Sequence, residues 1–224
     1  EKHPYVIGNF AWVCMDYLGE AGVGLSRLVP DVPAQPGAAP GMPGGGFFNR
    51  DSWPVFNDYQ GDIDLIGNEK PRYRHQLVVW RQSKVEILVH RPLPAGKKEN
   101  VSPWGWPDEL KSWSWPGHEG EKMQVHVYTR SKLVKLELNG KPVGEQAVDG
   151  EKSVTATFEV PYEPGTLVAW VFDDGKEVAS ETLKTTGKPA KIRLTADRST
   201  IKADRNDLSY VMVEITDEAG NVVP

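Results

Sequence analysis

Carboxyl and indole groups near the start of the 224-residue chain are the side chains best suited to chemistry. The acidic members of this group are Asp16, Glu20, Asp58, Asp62 and Asp64. Carboxyl groups act as general acids, general bases and nucleophiles when two of them flank a reacting bond. Trp12 adds a flat aromatic face against which the apolar side of a ligand packs. The sequence therefore predicts a ligand-binding region around residues 12–64.

An apolar segment directly precedes these groups and would have to position them. Residues 5–14 are almost all apolar, with Gly8 and Asn9 as the interruption, as in a strand buried on both faces of a parallel sheet. A buried helix is the alternative. The β-branched and aromatic content, and the change to polar residues at Asp16, favour the strand. Side chains just beyond such a strand lie at the face where α/β barrels carry out chemistry.

One motif, Trp-x-x-x-Asp-Tyr-Leu-Gly-Glu, comprises Trp12, Asp16, Tyr17, Gly19 and Glu20. It resembles the eighth barrel strand and following loop of family 2 glycoside hydrolases, the β-galactosidase and β-glucuronidase group. A second block, residues 61–71, resembles the segment that leads into the last barrel helix of that family. The resemblance implies a carbohydrate substrate, no cofactor, and hydrolysis of β-glycosidic bonds with retention. It also implies a bacterial protein that is periplasmic, cell-surface or secreted, and it leaves the oligomeric state open.

The two catalytic glutamates of the family lie on earlier barrel strands than the one this chain resembles. We therefore assign no catalytic residue within the chain and expect the chain alone to be inactive. Substrate-binding roles are predicted for Trp12, as an aromatic floor under the reacting sugar, and for Asp16 and Asp64, as ligands of sugar hydroxyls. Core packing of Trp12, and capping or turn roles for the carboxylates, are the alternatives. Asp16, Glu20 and Asp64 are expected on an open edge in contact with water.

Composition argues against several other classes of function. A net charge of −5 disfavours a nucleic-acid partner, because phosphate binding requires a clustered basic surface. No apolar run approaches the ~20 residues that span a bilayer, so no membrane span is predicted. Cys14 is the single cysteine, which excludes an internal disulfide, and it is expected to be a buried apolar residue. The histidines fall in no metal-ligand spacing, so no metal site is predicted.

Residues 1–83 are predicted to be the C-terminal remnant of a (β/α)8-barrel catalytic domain with a long loop. The loop, residues 21–57, has a proline- and glycine-rich middle that cannot sustain helices or sheet ladders. In a barrel, a long connection at this face carries substrate loops. A surface linker is the alternative.

A helix is predicted from about Lys70 to Gln82. Pro71 suits a first helical turn, where the missing N–H has no partner in any case. Tyr73, Leu77 and Trp80 recur with helical spacing and are expected to face inward. Asn68 is the expected cap.

Residues 84–187 change to a period of two, which is typical of strands. Turn signals at Asn139-Gly140, Asp149-Gly150 and Asp174-Gly175 supply the positive-φ positions that tight hairpins require. Short strands separated by such turns predict an immunoglobulin-like antiparallel β-sandwich without the usual disulfide. The predicted strands are residues 85–90, 123–128, 133–138, 154–160, 167–172 and 178–183.

Residues 188–224 look like the opening strands of a further bacterial immunoglobulin-like domain, truncated before it could close. The predicted fold class is therefore mainly β: an immunoglobulin-like sandwich preceded by the last strand and helix of a truncated (β/α)8 barrel.

Four tryptophans lie within twelve positions of the first connection of the predicted sandwich: Trp104, Trp106, Trp113 and Trp115. Indole faces stack on sugar rings, so a carbohydrate platform is one interpretation. Packing of the loop against the sandwich is the other, and it is favoured because each indole buries a large area. The platform belongs to an alternative function for the whole chain, a non-catalytic immunoglobulin-like module that binds carbohydrate or acts as a spacer.

Overall fold

The computed structural model describes residues 5, 12–19, 23–32, 56–102 and 104–224. Antiparallel strands dominate these residues, and α1 (Pro71–Val79) is the helix among them. The strands are β1 Tyr17–Leu18, β2 Ser26–Pro30, β3 Asn57–Asp58, β4 Val85–His90, β5 Lys97–Val101, β6 Glu109–Leu110, β7 Lys122–Thr129, β8 Leu133–Leu138, β9 Lys141–Ala147, β10 Thr155–Pro161, β11 Thr166–Asp173, β12 Lys176–Lys184, β13 Lys191–Ala196 and β14 Val211–Thr216. The mainly β fold class is confirmed.

Two four-stranded antiparallel sheets form the centre of the molecule. One sheet has the strand order β10-β7-β4-β6 and the other the order β12-β11-β8-β9. Alternate residues of each strand face the space between the sheets, because successive side chains point to opposite faces. In β7 these are Val125 and Val127, and in β11 they are Leu167, Ala169 and Val171, all with no exposed surface. One hydrophobic core therefore joins the two sheets.

Strand β4 is buried on both faces because α1 covers the outer side of its sheet. Val85, Ile87 and Val89 face the core between the sheets. Leu88 points the other way and packs with the fully buried Val78 of α1. This second contact holds the helix against the sandwich.

The predicted helix is present, but two of its details are wrong. Trp80 is 59 % exposed and lies at the C-cap rather than facing inward. The helix ends there because Arg81 adopts a positive φ of 60°, and Val78 is the buried residue in place of Trp80. The N-cap is Lys70 rather than Asn68, whose amide bonds to Asp64 instead. No helix in the described ranges is long and apolar enough to cross a membrane.

Two of the three predicted hairpin turns have the expected backbone. Positive φ angles occur at Asn139 and Gly140, and again at Asp174 and Gly175, so these pairs join β8 to β9 and β11 to β12 as tight turns. Gly150 has a different reason to be glycine. A Cβ there would lie 2.6 Å from the Arg130 carbonyl oxygen, so the chain needs glycine for close approach rather than for a positive φ.

All six strands predicted between residues 84 and 187 are present, but sequence periodicity misses β5, β6 and β9. Strand β9 pairs with β8 at the edge of its sheet. It contains Pro142 and Gly144, which strands tolerate at edges and irregularities. A register shift between Leu136 and Glu137 accommodates this part of the pairing.

Part of the loop predicted for residues 21–57 is a strand, which corrects that prediction. Ser26 to Pro30 form β2, which pairs antiparallel with β5 from Lys97 to Val101. Backbone pairing with an otherwise unpaired strand outweighs the weak strand propensity of this segment. Residues 33–55, which contain most of the prolines and glycines, lie outside the described residues.

The last two strands form a separate ribbon with one apolar face. Ile192 pairs with Ile215, and Leu194 pairs with Val213. These four side chains are 51–72 % exposed. The opposite face carries the ion pair of Arg193 with Glu214.

Candidate functional site

Asp16 is the centre of a buried polar cluster at the start of the chain. The residue is 4 % exposed. Its Oδ1 accepts hydrogen bonds from the Gly61 N–H and the Lys70 Nζ, each at 2.8 Å. Lys70 also donates to Asp16 Oδ2 at 3.1 Å and to the Tyr59 carbonyl at 2.6 Å. We call Asp16, Gly61 and Lys70 the carboxylate lock.

Gly61 is required by the close approach of two backbone segments. A Cβ at this position would lie 2.2 Å from the Asp16 nitrogen and 2.4 Å from the Met15 carbonyl carbon. The Asp16 N–H in turn donates to the Ile63 carbonyl at 2.9 Å, and Met15 forms a parallel bridge with Ile63. The segment that follows Trp12 is therefore fixed both by hydrogen bonds to the Asp16 side chain and by backbone pairing with Ile63.

A second buried carboxylate supports the same segment. Asp58 is 2 % exposed and accepts a hydrogen bond from the Val23 N–H at 3.3 Å. Strand β3 pairs with β1 here, placing Tyr17 opposite Asp58. A Cβ on Gly19 would lie 3.1 Å from Asp58 Oδ2, so a larger residue at this position of the motif would crowd the carboxylate.

The predicted site residues occupy different environments. Trp12 is 73 % exposed, and its peptide bond to Val13 is cis. Asp16 is buried, so the expectation of an open edge in contact with water is wrong for this residue: Lys70 and Gly61 replace the water. Glu20 lies outside the described residues.

Asp64 is half-buried and organises a turn. Its Oδ1 accepts hydrogen bonds from the backbone N–H groups of Ile66 and Asn68, and its Oδ2 accepts one from the Asn68 side chain. Burial alone would raise its pKa, but these hydrogen bonds from Asn68 and Ile66 to the charged carboxylate lower it. Asp64 therefore stabilises this turn, and its role as a ligand of sugar hydroxyls stays a prediction.

Cys14 is exposed, so the prediction of a buried apolar residue is wrong. Its carbonyl accepts hydrogen bonds from the N–H groups of Asp62 and Ile63. Backbone pairing fixes the position of this residue, while no described strand packs over its side chain. The predicted strand from Tyr5 to Cys14 lies largely outside the described residues, and its last residues form bends.

Asp62 has a raised pKa. Burial is the main cause, and the positive charges of Arg72 and Lys70 oppose it. Its Oδ1 lies 3.2 Å from Arg72 Nε. Local sequence patterns do not reveal the roles of Lys70 and Arg72, because Lys70 pairs with Asp16 54 positions away and Arg72 pairs with Asp62 outside the motif.

The tryptophan-rich connection is mostly a packing element. Trp113 is fully buried and donates from Nε1 to the Glu163 carbonyl at 2.9 Å. Trp115 is 7 % exposed. For these two residues the packing interpretation is confirmed, since both belong to the core between the sheets.

A further buried carboxylate, Glu109, was not foreseen. It is 1 % exposed and accepts hydrogen bonds from the Tyr128 hydroxyl at 2.9 Å, from Trp106 Nε1 at 3.2 Å and from His126 Nδ1. Burial, followed by the Glu109 charge, strongly raises the pKa of Tyr128. Burial lowers the pKa of His75, whose ring lies 4.9 Å from the Trp106 ring at a tilt of 48°. This cluster joins the helix to the outer face of the sandwich.

No group of three or more metal-ligating side chains occurs in the described part of the chain.

Comparisons with known proteins agree on one family. A model described as glycoside hydrolase family 2 C-terminal domain 5 matches residues 192–224, and a domain of unknown function (DUF4982) matches residues 120–179. A β-galactosidase of Bacteroides ovatus is 30 % identical over 99 % of this chain. A solved glycosyl hydrolase family 2 member from Bacteroides cellulosilyticus superposes with a TM-score of 0.79, at 34 % identity over 99 % of this chain. The chain belongs to glycoside hydrolase family 2, and it corresponds to the C-terminal part of proteins in that family.

Other members of family 2 show how much of a whole protein this chain represents. A β-glucuronidase of Formosa agariphila is 30 % identical over 73 % of this chain. A β-glycosidase from Bacteroides vulgatus superposes with a TM-score of 0.56, at 26 % identity over 77 % of this chain and 19 % of its own. The chain spans 20 % of the Bacteroides ovatus protein, 15 % of the Formosa agariphila protein and 27 % of the Bacteroides cellulosilyticus structure. The resemblance seen in the motifs is thus confirmed for the family and for its C-terminal part.

Proposed function

We propose that this chain is part of a retaining glycoside hydrolase that cleaves β-glycosidic bonds and is similar to β-galactosidases. The observation that carries the proposal is the match to a β-galactosidase over 99 % of the chain, which includes the motif from Trp12 to Glu20. The carbohydrate substrate and the periplasmic, cell-surface or secreted compartment are parts of the same proposal.

Trp12 is proposed to contact the sugar at the reacting subsite. Its 73 % exposed indole suits a surface that receives a ligand. The carboxylate lock supports the proposal because it fixes the segment only four residues further along the chain. Positioning of this kind raises catalytic efficiency by holding the ligand in a reactive geometry. Asp16 would contribute mainly through this positioning, since both of its oxygens already accept hydrogen bonds.

The nucleophile and the acid/base are proposed to lie outside the chain. Retaining glycosidases need two carboxyl groups about 5 to 5.5 Å apart. The buried Asp16 and the partly buried Asp62 face Lys70 and Arg72 at 2.8 and 3.2 Å, so each is neutralised by its own cation. Asp64 accepts three hydrogen bonds within its own turn.

The finer architecture is proposed as follows. Residues 1–83 would be the end of a (β/α)8 barrel, residues 84–187 an immunoglobulin-like sandwich and residues 188–224 the beginning of a further immunoglobulin-like domain. The parallel bridge of Met15 with Ile63, followed by α1, supports the first assignment. The core confined to residues 85–183 supports the second, and the one-sided apolar ribbon of β13 and β14 supports the third.

Replacement of Trp12 in an active glycoside hydrolase that contains this chain tests the proposed role. Trp12→Ala should lower kcat/KM about fivefold or more, since loss of one stacking face is worth ~1 kcal/mol. The melting temperature should stay unchanged because the indole is exposed. Trp80→Ala is the matched control: that indole is 59 % exposed at the end of α1, and its loss should leave kcat/KM unchanged. A fall in melting temperature with normal kinetics of the folded enzyme would show that Trp12 is a packing residue.

A further inference from the structure

The two ends of α1 contact different parts of the chain. The N-cap residue Lys70 donates from Nζ to Asp16 at 2.8 Å and to the Tyr59 carbonyl at 2.6 Å. Its backbone N–H donates to the Asp62 carbonyl at 2.9 Å. The start of the helix is therefore joined directly to the segment that follows Trp12.

The later turns of α1 contact the sandwich instead. Val78 has no exposed surface and packs with Leu88 of β4, with Tyr128 of β7 and with Val154. His75, one turn earlier, places its ring 5.2 Å from the Tyr128 ring at an interplanar angle of 90°. We call His75, Val78, Leu88 and Tyr128 the helix joint.

A buried carboxylate fixes the sandwich side of the helix joint. Glu109 is 1 % exposed and accepts hydrogen bonds from the Tyr128 hydroxyl at 2.9 Å and from Trp106 Nε1 at 3.2 Å. Tyr128 cannot turn away without leaving a buried charge with one donor fewer, which is costly. On the helix side, Arg74 Nη1 lies 3.8 Å from a carboxylate oxygen of Glu86. The position of α1 on the sheet is therefore set by both packing and charge.

The helix carries this position to Lys70, because its backbone hydrogen bonds make it a stiff element. Eight positions separate Lys70 from Val78, which corresponds to about 12 Å at the helical rise. The surface beneath Val78 thus decides where the Lys70 ammonium lies relative to Asp16. A misplacement of about 1 Å that originates far from the reacting atoms can cost ~100-fold in rate.

We propose that the helix joint positions the sugar subsite of Trp12: the sandwich holds α1 so that Lys70 meets Asp16. The joint residues act through Lys70 and are positioning residues rather than catalytic ones. The effect on a sugar rests on the proposed function, while the coupling of the joint to the segment after Trp12 rests on the geometry alone. The sandwich is then part of the scaffold of the site and not a spacer.

Hydrogen exchange of the 224-residue chain tests the coupling without any substrate. Val78→Ala removes two methyl groups from the joint and replaces valine with a better helix former. The amides of Asp16 and Gly61, which donate to the Ile63 carbonyl and to Asp16 Oδ1, should exchange about tenfold faster through local opening. Tyr128→Phe, which keeps the ring and loses the bond to Glu109, should act in the same direction.

The matched control is Val134→Ala. Val134 lies in β8, is as fully buried as Val78 and belongs to the core between the sheets rather than to the joint. Its replacement should lower the melting temperature at least as much as Val78→Ala does, because both remove the same buried groups. Exchange of Asp16 and Gly61 should change by no more than about twofold.

Kinetics of an active glycoside hydrolase that contains this chain test the effect on the sugar subsite. Val78→Ala should lower kcat/KM about threefold or more, whereas Val134→Ala should leave kcat/KM of the folded enzyme unchanged. In a Trp12→Ala background the effect of Val78→Ala should largely disappear, since both substitutions act on one subsite. A role in stability alone would lower the melting temperature without this non-additivity.

Equal exchange of Asp16 and Gly61 in Val78→Ala and Val134→Ala would overturn the inference whatever the enzyme assay gives. Accelerated exchange with unchanged kcat/KM, or additive effects of Val78→Ala and Trp12→Ala, would also contradict the positioning role. The absence of hydrolysis by an enzyme that contains this chain would refute the proposed function, and the exchange measurement would still decide whether the joint controls the segment.

Discussion

At the scale of single residues, the pair of Asp16 and Lys70 dominates the first part of the chain. The Asp16 side chain is 3 % exposed and that of Lys70 is 25 % exposed. Removing a carboxylate from water is costly unless a cation and hydrogen-bond donors replace the water. Lys70 and the Gly61 N–H do so here at 2.8 Å each. Loss of the cation alone would leave a buried carboxylate without compensation.

Lys70→Met should therefore destabilise the segment that follows Trp12. We expect a loss of about 2–3 kcal/mol in the free energy of local opening, at the low end for buried pairs because Lys70 is a quarter exposed. Hydrogen exchange of residues 15–18 and 57–63 measures this energy. The control is Lys98→Met, which removes a solvent-exposed ion pair of 3.5 Å with Asp31. This substitution should change the free energy of local opening by no more than about 0.5 kcal/mol. Equal effects of the two substitutions would show that the lock does not hold the segment.

The sequence could identify Asp16, because it belongs to a recognisable motif, but not its partner. Lys70 is 54 positions away, and such a contact leaves no trace in local periodicity. The same limit applies to Glu109, which follows another acidic residue in the sequence and was indistinguishable from a solvated charge. Cys14 shows the reverse error: an apolar neighbourhood in sequence does not ensure burial when no described strand covers the side chain.

At the scale of elements, sequence patterns succeed where a strand has one buried face and fail where it has none. Strands β4 and β8 begin and end where alternation predicts, from Val85 to His90 and from Leu133 to Leu138. The sequence does not reveal β2, β5 and β9, because none of them contributes a regular row of buried side chains, and β6 has only two residues. Their stability comes from backbone pairing at a sheet edge, which any sequence without too many prolines supplies.

The connection from the sandwich to the ribbon of β13 and β14 depends on Asp217. Its carboxylate accepts hydrogen bonds from the Asn221 side chain at 2.9 Å and from the N–H groups of Gly187 and Asn221 at 2.8 Å each. The hydrogen bonds from Asn221 and Gly187 lower the pKa of Asp217 to about 2. A carboxylate of this kind ties the linker at Gly187 to the turn after β14.

This lowered pKa predicts a specific dependence of stability on pH. Because the folded pKa lies below the ordinary value of 3.8, the contribution of Asp217 is fully present above pH ~4 and is lost as the pH falls towards about 2. Amide signals of Gly187 and Asn221 should shift over this interval as the connection loosens. Asp217→Asn should abolish these shifts between pH 4 and 2. Asp31→Asn, which alters an exposed ion pair, should leave them unchanged. A titration of the parent chain that is flat between pH 4 and 2 would contradict the assignment.

At the scale of the whole molecule, the chain combines one well-formed core with flanking parts that depend on it. The core between the two sheets lies within residues 85–183. The first part is tied to it through α1, through the pairing of β2 with β5, and through Arg74 of α1, whose Nη1 lies 3.8 Å from a carboxylate oxygen of Glu86 in β4. Pattern reasoning could predict the sandwich from its turns and alternation. It could not predict the pairing of β2 with β5, because Ser26 and Val101 lie far apart in the sequence.

The activity of the chain by itself tests the central claim most directly. The 224-residue chain and a longer natural protein that contains it would be assayed side by side on aryl β-galactosides and aryl β-glucuronides. We expect turnover by the longer protein and none by the chain, because retention requires two carboxyl groups held on opposite sides of the scissile bond and the acids near the motif are already engaged. Asp16 and Asp62 pair with Lys70 and Arg72, and Asp58 accepts a hydrogen bond from the Val23 N–H. Turnover by the purified chain that disappears in Asp16→Asn or Glu20→Gln would show that the chain carries its own catalytic pair and would contradict the account.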